Sequence, residues 1–303
     1  MAKVLVVCGA TASGKTALAV SCAQKLNTEV ISADSLLVYR GLNIGTAKPD
    51  EKERGGVKHH MIDVVSPKET FSVSDYEKQA LPIVEKLLNE GKTPVICGGT
   101  GFYINALLYK SQFGNTGSNT EVRLKYEEIY KEKGGKYLHD LLRSVDIESA
   151  EKLHENDVKR VIRALEIFEI TGKAKSAQHD ELVPRFDFLA VSIAYPRETL
   201  YQRINDRVDA MFSSGLMEEI NTLLNAGVDP RAQCMQGIGY KEIIEGLQSG
   251  LNKEEIKELI KKNTRNYAKR QETFFRRTQN HVQLSPNEAT AERVLALLEK
   301  NYV

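Results

Sequence analysis

The sequence predicts an α/β fold: a parallel sheet core flanked by helices, with an inserted all-helical subdomain. Three observations lead there. Short apolar runs alternate with helical patterns over the first third of the chain, the signature of strands joined by crossover helices. One of those runs enters a glycine-rich loop that opens directly into a helix. Between residues 119 and 182 the strand signal disappears and helical patterns follow one another.

The first element is Val4-Leu5-Val6-Val7, an apolar run that reads as a buried strand reaching Cys8. Gly9, Ala10, Thr11, Ala12, Ser13, Gly14, Lys15 and Thr16 follow, matching G-x-x-x-x-G-K-[ST] without a mismatch. Ala17-Leu18-Ala19-Val20 starts a helix that runs to about Leu26. Glycines let such a loop curl with its N–H groups inward, and the helix adds the positive end of its dipole. Lys15 brings a point charge and Thr16 an oxygen able to hold Mg²⁺. The core is therefore expected to be P-loop NTPase-like, with the loop binding a diphosphate or triphosphate. The motif names a ligand group and not a reaction.

Glu29-Val30-Ile31-Ser32 reads as a second strand leading to Asp34. Ser74-Asp75-Tyr76-Glu77 reads as a capping box opening a helix toward Asn89, with Pro82 inside it and Gly91 closing it. Thr93–Cys97 is a third strand, followed by Gly98-Gly99-Thr100-Gly101, and Phe188–Ile193 is a fourth. Gly9, Asp34 and Gly98 all stand just past strand ends, where ligands of open α/β sheets bind. Helical patterns cover Glu121–Lys133, Tyr137–Arg143, Glu148–His154 and Asp157–Thr171, behind a polar segment, Ser111–Ser118, that reads as a linker. The predicted organisation is a catalytic core of residues 1–118 and 183–303 around a helical insert of residues 119–182. After Ile193 the chain is expected to be helical to its end.

The 303 residues are 41% hydrophobic and 27% charged, enough for a sizeable core. A net charge of +1 excludes binding to nucleic acid by global charge alone, so any basic surface must be local. No window approaches a membrane span, and the first strand starts within three residues of Met1. Cys8, Cys22, Cys97 and Cys234 are scattered, with no C-x-x-C pair and no zinc ligand cluster. The chain reads as cytoplasmic and, with nothing requiring a partner copy, as a monomer.

Several residues carry candidate chemistry. Asp34-Ser35 faces the phosphate loop across a crevice; a carboxylate there can hold Mg²⁺ through water, accept a proton, or cap a turn. Three glycines in Gly98–Gly101 permit close approach of a ligand, which Thr100 can bond; a plain tight turn is the alternative. On the helix from Asp157, Val158, Val161, Ile162, Leu165 and Phe168 form an apolar stripe, leaving Lys159, Arg160 and Arg163 on another face, suited to RNA phosphates or to solvent. Lys261 to Arg277 carries Lys261, Lys262, Arg265, Lys269, Arg270, Arg276 and Arg277 against Glu272 alone, interleaved with Tyr267, Phe274 and Phe275. Cations mixed with aromatics suit RNA. Arg203 and Arg207 share a helix face and suit a diphosphate, unless they ladder with Asp206 and Asp209. His59-His60 reads as a strand end rather than a metal pair.

Taken in order, these blocks resemble one family, the tRNA dimethylallyltransferases or tRNA isopentenyltransferases, of the bacterial type. The resemblance rests on Gly9–Thr16; Asp34-Ser35 with Val38–Lys48; His59–Asp63; Gly98–Gly101; Asp157–Glu166; Gly237–Glu242; and Thr264-Arg265 through Lys269-Arg270-Gln271. It implies transfer of a dimethylallyl group from dimethylallyl diphosphate to N6 of adenosine 37 in a tRNA anticodon loop. It implies that the loop holds the donor's diphosphate rather than ATP, with Mg²⁺ as cofactor at Thr16. Asp34 would take the amine proton, and Lys15, Thr16 and Arg207, assisted by Arg203, would steady the leaving group. The tRNA would meet Asp34, Ser35, Leu36, Leu37, Thr100, Arg123, Lys159, Arg160, Val161, Ile162, Arg163, Arg265, Lys269 and Arg270.

One position departs from the family, which usually has Asp-Ser-x-Gln after the second strand. Here Leu37 stands in the fourth place. Leucine cannot hydrogen-bond an adenine edge, so base recognition is expected to be looser or supplied elsewhere. The chain lacks the zinc finger of eukaryotic members. A small-molecule kinase would explain Lys15 and Thr16 but not the basic helix. An isopentenyltransferase of free adenine nucleotides would share the catalytic blocks. A GTP-dependent RNA-binding switch would want an N-K-x-D motif, which is absent.

Overall fold

The computed structural model describes residues 3–110, 119–177 and 182–300. The chain divides into two compact units: Met1–Tyr109 with Pro184–Val303, and Lys110–Val183. The first unit opens with β1 (Lys3–Cys8), α1 (Lys15–Lys25), β2 (Val30–Ser32), the single turn α2 (Glu51–Arg54), β3 (His59–His60), α3 (Val73–Asn89), β4 (Val95–Gly98) and α4 (Gly101–Leu108). The second unit holds α5 (Thr120–Val145), α6 (Ile147–Lys152) and α7 (Val158–Thr171). The first unit resumes with β5 (Asp187–Ile193), α8 (Arg197–Ser213), α9 (Leu216–Asn225), α10 (Tyr240–Gln248), α11 (Lys253–Phe275), β6 (His281–Leu284) and α12 (Ala291–Lys300).

Among the described residues the strands form one parallel sheet in the order β3-β2-β4-β1-β5-β6. Its side chains alternate between two apolar layers. Val4, Val6, Ile31, Ile96 and Ala190 pack with α3, α4 and the C-terminal helices, while Leu5, Val7, Val30, Val95 and Val191 pack against α1 and α12. Burial on both faces is why the strands read as continuous apolar runs. At the end of β4 the backbone leaves no room for a side chain: a Cβ on Gly98 would lie 2.1 Å from the Ala33 carbonyl oxygen. Strand ends thus close on one another because position 98 is glycine.

Two expectations are corrected. The helix toward Asn89 opens two residues early: Ser72 is the N-cap, its hydroxyl accepting the Asp75 N–H while Asp75 takes the Ser72 N–H. Serines at 72 and 74 offer similar caps, and burial of Tyr76, stacked on Tyr103 at 4.0 Å, selects the register. The chain after Ile193 is not wholly helical, because His281–Leu284 pairs with β5 as an edge strand. Four residues carry too little pattern to announce a strand. Glu121–Lys133 and Tyr137–Arg143 are two helical stretches as expected, broken within α5 at Gly134, whose φ of 79 is non-helical. The proposed linker Ser111–Ser118 lies outside the described residues.

The helical unit has its own core of Leu138, Leu142, Ala150, Val161, Ile162, Ala164 and Leu165. Asp146 ties it at one corner, accepting the Ser149 N–H at 3.0 Å, the Ser176 N–H at 3.0 Å and the Ser176 hydroxyl at 2.6 Å. Burial raises the Asp146 carboxyl, but these donors outweigh it and hold the group at about 2. A depressed carboxyl stabilises the fold above its ordinary value near 4, and that stabilisation is lost as pH falls toward 2. Asp146→Ala is expected to cost the helical unit about 2 kcal/mol at pH 7. The charge-dependent part of that cost should shrink as pH falls from about 4 through about 2, measured by hydrogen exchange of the α6 amides in both proteins.

Candidate active site

A cavity of about 440 Å³ opens beside the carboxyl ends of β1, β2 and β4, within the range of small-molecule sites. Thr11, Lys15, Thr16, Asp34, Ser35, Leu36, Leu37, Arg207 and Arg270 all line it. The phosphate loop is curled as its glycines require: φ is +124 at Gly9 and +87 at Gly14, and Ala12 also has a positive φ of 61. Gly14 caps α1 in the left-handed region, which turns the first amides of the helix toward the loop's hollow. The Ser13 hydroxyl is buried there without a partner among the described residues. Lys15 folds back on its own loop, donating to the Ala10 carbonyl at 3.2 Å. Burial pulls its ammonium below the ordinary value; Cys97 and Asp34 oppose that, and the Arg207 charge adds to it. Burial likewise lowers Arg207. Both cations line the cavity, and an anion bound there would favour their charged forms.

Arg203 and Arg207 do not ladder with their neighbours. Asp206 accepts from Gln202, and Asp209 pairs with Lys257 and Lys261. Arg203 donates from Nε to the Ala12 carbonyl at 2.8 Å, with its guanidinium over the Tyr195 ring at 4.7 Å. Arg207 donates to the Thr46 carbonyl at 3.2 Å. Both are held by backbone carbonyls, so their charge stays available.

Asp34 serves both readings that its position allows. Its Oδ1 accepts the Leu36 N–H at 2.9 Å and the Leu37 N–H at 3.3 Å, closing a turn. Its other oxygen accepts no hydrogen bond among the described residues, and the side chain lines the cavity. Thr100 supports this turn: its hydroxyl accepts the Ser35 N–H at 3.0 Å and donates to the Ser35 hydroxyl at 3.3 Å. Thr100 thus acts first on the loop that carries Asp34.

The remaining candidates fall in both units. Arg265 donates to Asn205 Oδ1 at 2.6 Å, and Lys261 is committed to Asp209 and Glu258, each at 3.0 Å. Lys269 and Arg270 are exposed. In the helical unit, Arg123 at 2.9 Å and Arg163 at 2.6 Å both reach Glu166, a fully buried carboxylate. Burial raises Glu166, but Arg163, the Asn119 amide and Arg123 bring it below its ordinary value. The Val161 and Ile162 side chains lie in the apolar core, so neither is open to RNA. Lys159 and Arg160 are exposed, Arg160 in an ion pair with Asp157.

Sequence reasoning missed two organisers. Gln271 of α11 accepts the Thr11 N–H and donates to the Gly99 carbonyl, both at 2.9 Å. Its place beside Lys269-Arg270 was visible, but not its reach across 260 residues. Glu219 of α9 accepts the Asn43, Ile44 and Gly45 N–H groups at 2.8, 2.7 and 3.1 Å and the Tyr240 hydroxyl at 2.6 Å. It pins the segment whose Thr46 carbonyl holds Arg207, and nothing in its local sequence signals that.

A phosphate cradle, a cationic clamp and an open carboxylate on one cavity at the carboxyl edge of a parallel sheet define a P-loop protein built for group transfer. The IPP transferase family model matches residues 37–278. A tRNA dimethylallyltransferase of Acetivibrio thermocellus is 44% identical over 306 residues, covering 100% of this chain and 98% of its own. One of Pelotomaculum thermopropionicum is 46% identical over 275 residues, covering 90% and 87%. Among solved structures, the tRNA isopentenylpyrophosphate transferase of Bacillus halodurans aligns over 100% of both chains at 35% identity, with a TM-score of 0.72. A eukaryotic dimethylallyltransferase acting on tRNA aligns over 96% of this chain and 74% of its own, at 31% identity and a TM-score of 0.79. The chain belongs to the IPP transferase family.

Glu219→Ala would leave three loop amides without their acceptor and release the Thr46 carbonyl that holds Arg207. Affinity for inorganic diphosphate, measured by calorimetry, should fall about tenfold, with a stability loss of about 3 kcal/mol in urea unfolding. Unchanged diphosphate affinity would disconnect this carboxylate from the clamp.

Proposed function

We propose that this protein transfers the dimethylallyl group of dimethylallyl diphosphate to N6 of adenosine 37 in the anticodon loop of tRNA, releasing diphosphate. The observation that carries the reading is the cavity itself, which Lys15, Arg207 and Asp34 line together, Asp34 with one oxygen accepting no hydrogen bond among the described residues. The loop amides, Lys15 and Arg207 bind the donor's diphosphate. Leu36, Leu37, Met211 and Ile238 line the same cavity and suit a branched five-carbon chain. Membership in the family and relatives named for action on tRNA support the polynucleotide acceptor.

The residues account for the steps. An adenine amine is a weak nucleophile because its lone pair is delocalised into the ring. As N6 bonds to the allylic carbon, the bond from that carbon to the diphosphate oxygen breaks and the pair stays on diphosphate. The proton leaving N6 passes to Asp34, whose Oδ1 is fixed by two amides so that the other oxygen is aimed. Positive charge builds on the allylic carbon and negative charge on the leaving group, so fixed donors around the diphosphate give the larger stabilisation.

Magnesium fits the residues present. The Thr16 hydroxyl lines the cavity, the buried Ser32 hydroxyl beside it has no partner among the described residues, and Asp34 offers an oxygen; all three are hard donors of the kind Mg²⁺ takes. Bound there, the ion would neutralise charge on the leaving diphosphate. Cys97 also lines the cavity, but its soft sulfur suits Mg²⁺ poorly beside these oxygens.

Base recognition is assigned to Gln236. With Leu37 apolar, an amide must come from elsewhere on the wall. Gln233 is spent on both polar groups of Phe71, and Gln271 on the phosphate loop. Gln236 lines the cavity, is exposed and has no partner among the described residues. Gly237, next to it, packs so tightly on Leu36 that a Cβ would sit 2.4 Å from Leu36 Cδ1, which brings this turn to the Asp34 loop.

The deciding experiment is nucleoside mass spectrometry on tRNA lacking the modification, after incubation with enzyme, donor and Mg²⁺. N6-dimethylallyladenosine is expected; a modified AMP with untouched tRNA would point to the free-nucleotide class. Asp34→Ala should lower turnover at least about a hundredfold while tRNA affinity holds; equal turnover would remove the carboxylate from the mechanism. Gln236→Leu should reduce kcat/KM about tenfold, and Leu37→Gln in that background should restore it. No recovery together with no initial loss would take Gln236 out of recognition.

A further inference from the structure

We propose that α11 and the start of α4 form a stacking strip for the unpaired nucleobases next to the one that enters the cavity; this rests on the reading of the acceptor as RNA. The strip begins inside the site. Tyr267 and Arg270 line the cavity, and the Arg270 guanidinium lies 5.7 Å from the centre of the Tyr267 ring. Phe274, four residues on, continues the same helix face. Its ring meets Phe102 at 5.9 Å and 64°. The two elements touch closely there, since a Cβ on Gly101 would fall 2.2 Å from Phe274.

Phe102 opens α4 directly after the glycine turn that carries Thr100, and it is 68% exposed. From Tyr267 to Phe274 the helix advances about 10 Å, or roughly three spacings of stacked bases. Arg270 is exposed on this stretch, and Arg276 and Arg277 are exposed just past the end of the helix. An aromatic run that begins at the cavity wall with Tyr267, passes the half-buried Phe274 and ends at the exposed Phe102, with cations beside it, matches unpaired nucleic acid. Every base has a π-face, and the backbone phosphates answer the guanidiniums. It would also stabilise the opened anticodon loop, because neighbours of the extruded base exchange one stack for another.

The test uses the full-length protein and two anticodon stem-loop RNAs, with 2-aminopurine placed on the 5′ or the 3′ side of the target adenosine. Stacking quenches its fluorescence. Wild type is expected to quench one of the two on binding. Phe102→Ala should lose that quench and raise KM for RNA about tenfold, with a much smaller change in kcat. Phe102→Trp should keep both near wild type. If wild type prenylates the RNA but Phe102→Ala quenches and binds equally well, the strip is wrong and the proposed function stands. If wild type neither binds nor modifies the stem-loop, both fall together.

Discussion

The side-chain amide of Gln271 holds the Thr11 N–H through its oxygen and the Gly99 carbonyl through its nitrogen, in a buried position. The phosphate loop after β1 and the glycine turn after β4 are thereby fixed to one helix. That turn in turn positions Thr100, Thr100 holds the Ser35 amide, and the Asp34 turn follows. Phosphate loop and carboxylate are thus held at a set separation by short, oriented bonds rather than by packing alone. Group transfer depends on that separation, because an ångström of error at the reacting atoms costs orders of magnitude in rate. Gly99 is glycine for the same reason, since a Cβ would lie 2.2 Å from the amide nitrogen.

The carboxylates divide into two kinds. Glu219, Glu166 and Asp146 are saturated by N–H, hydroxyl or guanidinium donors and serve as anchors. Asp34 is half-saturated, one oxygen anchored and one open. The cations divide the same way. Arg123, Arg163 and Lys261 are committed to acidic partners, while Arg203 and Arg207 are oriented by backbone carbonyls that leave their charge uncancelled. A carbonyl orients a guanidinium without neutralising it, which a site for a departing anion requires.

The sequence made the phosphate loop, the parallel sheet and Asp34 legible because each is written in contiguous residues whose backbone needs are local. Gln271 and Glu219 were not legible in role. Their partners lie 260 and about 175 positions away, and a single glutamine or glutamate on a helix looks like solvated surface. The arginines of α7 show the opposite failure. The helical period placed Arg160 and Arg163 away from the apolar stripe, but Glu166 is drawn fully inside the unit and takes Arg163 with it. The shift from Ser74 to Ser72 as cap has the same origin, since tertiary burial of Tyr76 chose between two locally similar starts.

Leu37 separates two properties of the cavity wall. Its side chain and that of Leu36 add apolar surface to the cavity wall, while their N–H groups hold Asp34 in place. Replacing a hydrogen-bonding side chain with leucine therefore leaves the carboxylate's geometry intact, because the turn is made by backbone. It also makes the surroundings of the open Asp34 oxygen less polar. On the proposed reading this favours the reaction, since a dry wall keeps water from the electron-poor allylic carbon and strengthens the pull of Lys15 and Arg207 on the leaving oxygens. Catalysis and base reading are then separable here: the first belongs to strand-end loops locked by Gln271, the second to whichever side chains the wall leaves unpaired.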